Sequence, residues 1–174
     1  MTDSLRARLR ALPSFPENLP HFDPSTASAD PLELFMGWLD EALSFGVAAP
    51  HVATLATSDA TGAVSARTLR LKTIEDGELQ FAGSRNSHKG RDLAANPQAA
   101  LTFYWHERGR QVRFTGPVRE LSAEASAADW LARPTATGTV DAAWQLWALR
   151  PAEALFFQAA ADRSDVNLRY PLGD

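Results

Sequence analysis

The chain has 174 residues, 45% of them hydrophobic and 22% charged, with a formal net charge of −4; that is one domain's worth of sequence, enough to bury a core without staples. Zero cysteines exclude disulfides, thiolate nucleophiles, iron–sulfur clusters and cysteine-based zinc sites. The acid excess argues against a nucleic-acid partner, no apolar run of about 18 residues is present to span a membrane, and MTDSLRARLR lacks the apolar stretch of a secretory signal, so the expectation is a cytoplasmic protein.

Residues 1–29 carry Pro13, Pro16, Pro20 and Pro24 without a sustained period. They read as an N-terminal arm with one short helix near 5–12, ahead of a domain over 30–174. Asp30 is placed to cap a helix, Pro31 takes its first position, and Glu33 completes an Asp-x-x-Glu capping box. Leu32, Phe35, Met36, Leu39 and Leu43 recur at helical spacing until Gly46 stops the run. Three strands are then predicted over 51–57, 64–74 and 78–84, parted by turns at Asp59–Gly62 and Glu75–Gly77. Ser87 caps a short helix to about Ala95, closed by Asn96-Pro97. Strands over 98–105 and 110–121 flank a turn at His106–Gly109. Ser122 caps a helix through Ala132, stopped by Arg133-Pro134, and shorter strands follow around 144–151, 154–159 and 167–170. Mostly hairpin connections imply antiparallel pairing, and this many strands with few helices predict a mainly β fold, a closed or nearly closed barrel flanked by helices.

Only two of the 17 basic residues are lysines, Lys72 and Lys89. Alternation along 64–74 places Arg67, Leu69 and Leu71 on one face and Arg70 and Lys72 on the other. Three cations in a half-buried strand are costly unless something meets them. Either this is an edge strand with solvated charges, or one or more of the cations meets an anion at the barrel rim. Ser84-Arg85-Asn86-Ser87-His88-Lys89 joins a strand to a helix N-terminus, where free N–H groups and the helix dipole favour an anion. An ordinary Ser-capped helix with solvated basic residues is the plainer alternative, and no Walker spacing is present. Gln111 offers a donor and an acceptor to a heterocycle, or is a surface Gln. Arg133-Pro134 with Thr135 and Thr137 is a further anion contact or a helix stop. The five tryptophans read as core or interface by default. The four histidines show no metal-ligand spacing, so no metal is expected, and no Gly-x-Ser-x-Gly turn marks a nucleophile.

Asp30-Pro31-Leu32, Arg67-Thr68-Leu69-Arg70-Leu71-Lys72, Asn86-Ser87-His88-Lys89, Asn96-Pro97, Phe103-Tyr104-Trp105, Arg110-Gln111-Val112 and Arg133-Pro134 follow one another in an order that resembles the pyridoxamine 5′-phosphate oxidase family. The resemblance covers about 30–134 well and 144–170 loosely. It implies an antiparallel FMN-binding split barrel that assembles as a homodimer with FMN at the subunit interface. It assigns the FMN phosphate to Arg67, Ser87 and Lys89, with His88 where the family usually has Arg. It sets Lys72 beside the flavin and the substrate, lines the ring and ribityl chain with Thr68–Leu71 (thus Leu69 and Arg70) and Ala82–Gly83, and brings Gln111 and Phe157 to the cofactor, Phe157 standing where the family has Trp.

The substrate side departs further from the family. The residues implied there are Lys72, Asp129, Arg133, Thr137 and Arg163, but Asp129 replaces a Tyr, an exchange that repels a phosphate. The family's Arg-x-His-x-Arg run reads Arg163-Ser164-Asp165-Val166-Asn167, the stretch from Pro134 to Trp144 is short, and the sequence stops soon after Tyr170, short of the family's final strand. The resemblance thus implies an FMN-dependent oxidoreductase acting on a small molecule such as a vitamin B6 phosphate, with catalytic residues unassigned. The alternative is a non-catalytic module carrying FMN, haem or a B6 phosphate.

Overall fold

Asp30 caps the longest helix of the computed structural model, which describes residues 4–136 and 138–173. In this helix, α2 (Pro31–Phe45), the Asp30 carboxylate accepts the Leu32 N–H at 2.8 Å, and Gly46, in the left-handed conformation at φ +86°, ends it. The reciprocal half of the expected capping box does not form. Glu33 accepts instead from the Ser28 hydroxyl at 2.5 Å, and that same Ser28 oxygen accepts the Asp30 N–H at 3.1 Å, so one serine takes both partners that the box would have joined. The apolar stripe of α2 buries Phe35, Trp38 and Ala42. Phe35 lies 4.7 Å from Phe103 and 5.3 Å from Phe114, and Trp38 lies 5.2 Å from Phe156. Each such ring contributes about 1.5–3 kcal/mol on burial, which pins the helix against the barrel. Before α2, a short helix α1 (Leu5–Arg10) leads into a segment that sets Phe15 6.3 Å from Phe157 and Phe22 5.0 Å from Trp38.

Among the described residues nine strands follow: β1 (Val52–Ser58), β2 (Val64–Arg70), β3 (Thr73–Glu75), β4 (Glu78–Ser84), β5 (Gln98–Trp105), β6 (Arg110–Glu120), β7 (Trp144–Leu149), β8 (Glu153–Gln158) and β9 (Val166–Pro171). They pair antiparallel in the order β2-β1-β5-β6-β7-β4-β3, with β8 joining β6 to β9. Helix α3 (His88–Ala95) links β4 to β5, and α4 (Ala123–Leu131) links β6 to β7. The fold is a mainly antiparallel β barrel with helices around it, as the sequence pattern predicts, and it is split into two halves, as the family resemblance implies. Strand β6 serves both halves of the split: Arg110–Thr115 pair with β8 and Val118–Glu120 with β7. Gly116 sits between, where a Cβ would come within 2.0 Å of the Arg150 carbonyl oxygen, so only glycine allows that crossing.

The strand predicted over 64–74 is in fact two. The Leu71 N–H donates to the His51 carbonyl and ends the pairing with β1, whereas the next N–H, of Lys72, donates to Gln80 and begins the pairing with β4. The backbone changes partner between consecutive residues, so no local propensity signal marks the break. Its consequence is positional, because Lys72 stands at the seam between the two halves of the barrel.

Candidate functional site

Arg67 projects from the inward face of β2. Its guanidinium donates to the Thr57 hydroxyl at 2.7 Å, the Leu55 carbonyl at 3.3 Å and the Ser65 hydroxyl. Both hydroxyls pass their own protons to Asp92, at 2.6 Å from Thr57 and 2.8 Å from Ser65. The Asp92 side chain is only 3% exposed and lies 3.8 Å from Arg67 and 3.4 Å from His88. The Thr57 hydrogen bond above all, then those of Ser65 and the charges of His88 and Arg67, hold its carboxyl below the usual aspartate range despite burial. Asp92 is the residue that sequence reasoning missed. Its available signal was its place four residues after His88, on the same face of a helix whose first turn is cationic.

Across from Arg67, the Ser87 hydroxyl caps α3, accepting the Gly90 N–H at 3.4 Å and donating to the Ser84 carbonyl at 2.6 Å. Lys89 folds back so that its ammonium donates to Ser87 at 3.1 Å. It is half-buried, its ammonium 5.5 Å from the Trp147 ring, and no carboxylate pairs with it among the described residues. Burial first, and then the charge of Arg67, push the Lys89 ammonium below the ordinary lysine range. Gly83 makes room for it, since a Cβ there would lie 2.2 Å from the Lys89 nitrogen. Two of the cations expected near this helix stay apart from the pair. Arg85 turns to Gln145 at 2.9 Å and Glu120 at 3.0 Å, and His88, with 65% of its side chain exposed, faces Asp92.

Beyond this pocket a cavity of about 500 Å³ is lined by Thr68, Leu69, Arg70, Lys72, Ala82, Arg133 and Trp144, among others. It shares Arg70, Lys72, Arg133 and Thr135 with a second cavity of about 800 Å³ that adds Leu71, Glu75, Gln80 and Asp129. Lys72 pairs with Asp129 at 3.0 Å, and the Trp144 indole N–H donates to the same carboxylate at 2.9 Å. The Arg133 guanidinium lies 4.0 Å from the Trp130 ring centre and 4.6 Å from that of Trp144, and donates to Thr135 at 3.2 Å. Both tryptophans are half-buried and Trp144 lines the smaller cavity, whereas Trp38, Trp105 and Trp147 are core.

Gln111 and Phe157 stand opposite each other on β6 and β8, and Arg163 lies in the β8–β9 connection at φ +65°. None of the three lines either cavity. Thr137 lies outside the described residues. Among the described residues no group of three or more His, Asp or Glu is placed to hold a metal, and no helix is long and apolar enough to cross a membrane.

An antiparallel β barrel split into two halves, with a cationic pocket beside a helix N-terminus and a cavity between the halves, defines the split-barrel class of folds. A family model described as pyridoxamine 5′-phosphate oxidase matches residues 39–158, and the chain belongs to that family. It is 50% identical over 107 residues to a pyridoxine/pyridoxamine 5′-phosphate oxidase of Deinococcus deserti, covering 62% of this chain and 50% of that protein. It is 40% identical over 131 residues to one from Thermosynechococcus vestitus, covering 75% of this chain and 60% of that protein. The chain therefore spans about half the length of the curated relatives it matches. In fold it is similar to PhzG of Burkholderia lata, with TM-score 0.81, 23% identity and coverage of 91% and 94% of the two chains. A pyridoxamine 5′-phosphate oxidase-related, FMN-binding protein of Nostoc punctiforme aligns at TM-score 0.61 and 16% identity, covering 82% and 98%.

Proposed function

We propose that the protein is a cytoplasmic, homodimeric FMN-binding oxidoreductase acting on a small molecule. The observation that carries this reading is the Arg67–Lys89 pair. Lys89, half-buried and short of a carboxylate, sits beside Ser87 at the start of α3 within reach of the charge of Arg67, under a glycine that leaves space for nothing larger. Such a pocket is complementary to a doubly charged phosphate monoester, so the residues present fit FMN. Arg67, Ser87 and Lys89 would hold the phosphate, while Thr68–Leu71, Lys72, Ala82 and Gly83 would line the ribityl chain and ring.

When bound, FMN supplies the hydride or electron acceptor. The protein's own part is positioning. Asp92, through Thr57 and Ser65, fixes the Arg67 fork in place before a ligand arrives. Lys72 holds a charge at the seam where the cavities meet. Gln111, His88, Phe157 and Arg163 fall to the second copy or to the rim of this reading. The outer face of β2, β1 and β5 supports a dimer, because Ala66, Ala56 and Ala100 lie in register beside Thr68, Thr54 and Thr102, small residues that let another sheet come close.

A non-catalytic FMN carrier is the second reading, favoured by the Lys72–Asp129 ion pair, which occupies a cation on the substrate side. Purified protein reconstituted with FMN is expected to show the flavin absorbance bands and to lose them on adding a reduced donor substrate without oxygen. Oxygen-dependent formation of pyridoxal phosphate from pyridoxamine phosphate would select the B6 oxidase. Bands that never bleach would select the carrier, a Soret band would select haem, and a colourless protein after reconstitution would refute the flavin reading.

A further inference from the structure

The larger cavity is lined by three cations, Arg70, Lys72 and Arg133, against two carboxylates, Glu75 and Asp129, one net positive charge. The pairing inside it is uneven. Lys72 is bound to Asp129 at 3.0 Å, and the Trp144 N–H locks that carboxylate from the other side at 2.9 Å. Arg133 pairs with no carboxylate among the described residues and lies over the rings of Trp130 and Trp144. The rings cover the faces of the guanidinium, one edge nitrogen donates to Thr135 at 3.2 Å, and the remaining edge donors suit the planar two-oxygen fork of a carboxylate. An incoming phosphate dianion has to displace Asp129 from Lys72 or sit beside it, and both choices leave like charges in contact in a partly dehydrated cleft. A monoanion on Arg133 balances the cavity without disturbing the ion pair, and the Trp144 ring, 4.6 Å from Arg133 and lining the adjoining smaller cavity, offers a planar wall where the two cavities meet.

We infer that Asp129 is a specificity-determining residue that turns this cavity from phosphate esters toward planar aromatic acids bearing one carboxylate. The inference rests on the proposed flavin reading only in taking this cavity as the substrate cavity. It is tested with two probes of one ring, 2-naphthoate and 2-naphthyl phosphate, titrated by calorimetry at pH 8 into FMN-reconstituted protein, where the phosphate is dianionic. The protein is expected to bind the carboxylate at least tenfold more tightly than the phosphate ester. Asp129→Asn releases Lys72, so its preference is expected to collapse or invert through a gain of at least tenfold for the ester. Arg133→Gln, just past the end of α4, is expected to lose at least tenfold for the carboxylate, and it reads the same claim if the Asp129 variant does not fold. A wild-type protein that prefers the ester, that binds no naphthoate at millimolar concentration, or whose preference survives Asp129→Asn overturns the inference. Flavin occupancy is read separately from visible absorbance. Protein with the expected ranking but no flavin therefore contradicts only the flavin reading, and yellow protein with the opposite ranking contradicts only this one.

Discussion

Gly83→Ala separates the anion pocket from the rest of the fold. A methyl at Gly83 would stand 2.2 Å from the Lys89 nitrogen and 2.8 Å from its Cε. Those atoms are the far end of a flexible side chain, so the lysine can swing away and the backbone need not move. Gly83 is not at positive φ and lies within β4, where alanine is tolerated. The expected cost in stability is therefore below about 1 kcal/mol, a Tm within about 4 °C of wild type. The loss to binding is larger, because a displaced Lys89 gives up a charge-assisted hydrogen bond to the phosphate, worth about 1.5–3 kcal/mol, or about 10- to 100-fold in Kd. Quenching of flavin fluorescence measures it, with riboflavin as the control that lacks the phosphate. Weaker FMN binding with riboflavin affinity unchanged is the expected result. An FMN Kd within twofold of wild type, or an equal loss for riboflavin, would refute the assignment of Lys89 to the phosphate.

The double variant Arg67→Ala, Lys89→Ala is expected to lose most bound FMN while the dimer persists on size-exclusion chromatography with light scattering; unchanged flavin occupancy contradicts the pocket. Asp92→Asn leaves Arg67 without its buried counter-charge and is expected to cost about 3 kcal/mol at neutral pH in urea titrations. Because the folded Asp92 carboxyl titrates below its unfolded value, its contribution is present above about pH 4 and fades as pH falls through the folded value. The variant's acid unfolding should therefore be the flatter of the two, and parallel acid limbs would exclude Asp92 as the cause. Lys89 gives a slope of the same sign at the alkaline end, but there it is the charged form that costs stability. Its folded pKa is lowered, so the flavin-free protein gains stability as pH rises between that value and the ordinary lysine range, while FMN affinity falls over the same interval. Lys89→Ala should remove the alkaline decline in affinity, and a decline that persists assigns it elsewhere.

Much of this was legible in the sequence, because the signals are local. Ser87 and Ser122 cap the helices they announce, Asp76 and Gly77 take the positive φ that their hairpin demands, and alternation along 64–70 sends Arg67 inward. Relations between distant segments were not legible. Nothing near Asp92 says that it is buried beneath two hydroxyls from β1 and β2, or that Arg85 is drawn off to Gln145 and Glu120. Asp129 is noticeable in sequence as an acid where the resembling family has Tyr, but only the fold shows that it grips Lys72 at the seam where the backbone changes sheets. The small-residue β2-β1-β5 face is likewise a register effect, made by three strands whose alanines and threonines coincide only once paired.

Native mass spectrometry of the protein after incubation with FMN weighs the assembly and its cargo together. Two protomers carrying two FMN molecules, the flavin lost when Arg67 and Lys89 are both replaced by alanine, are the expected species. A lone protomer that takes up no flavin, or one that binds riboflavin as tightly as FMN, would contradict a phosphate pocket completed at a subunit boundary.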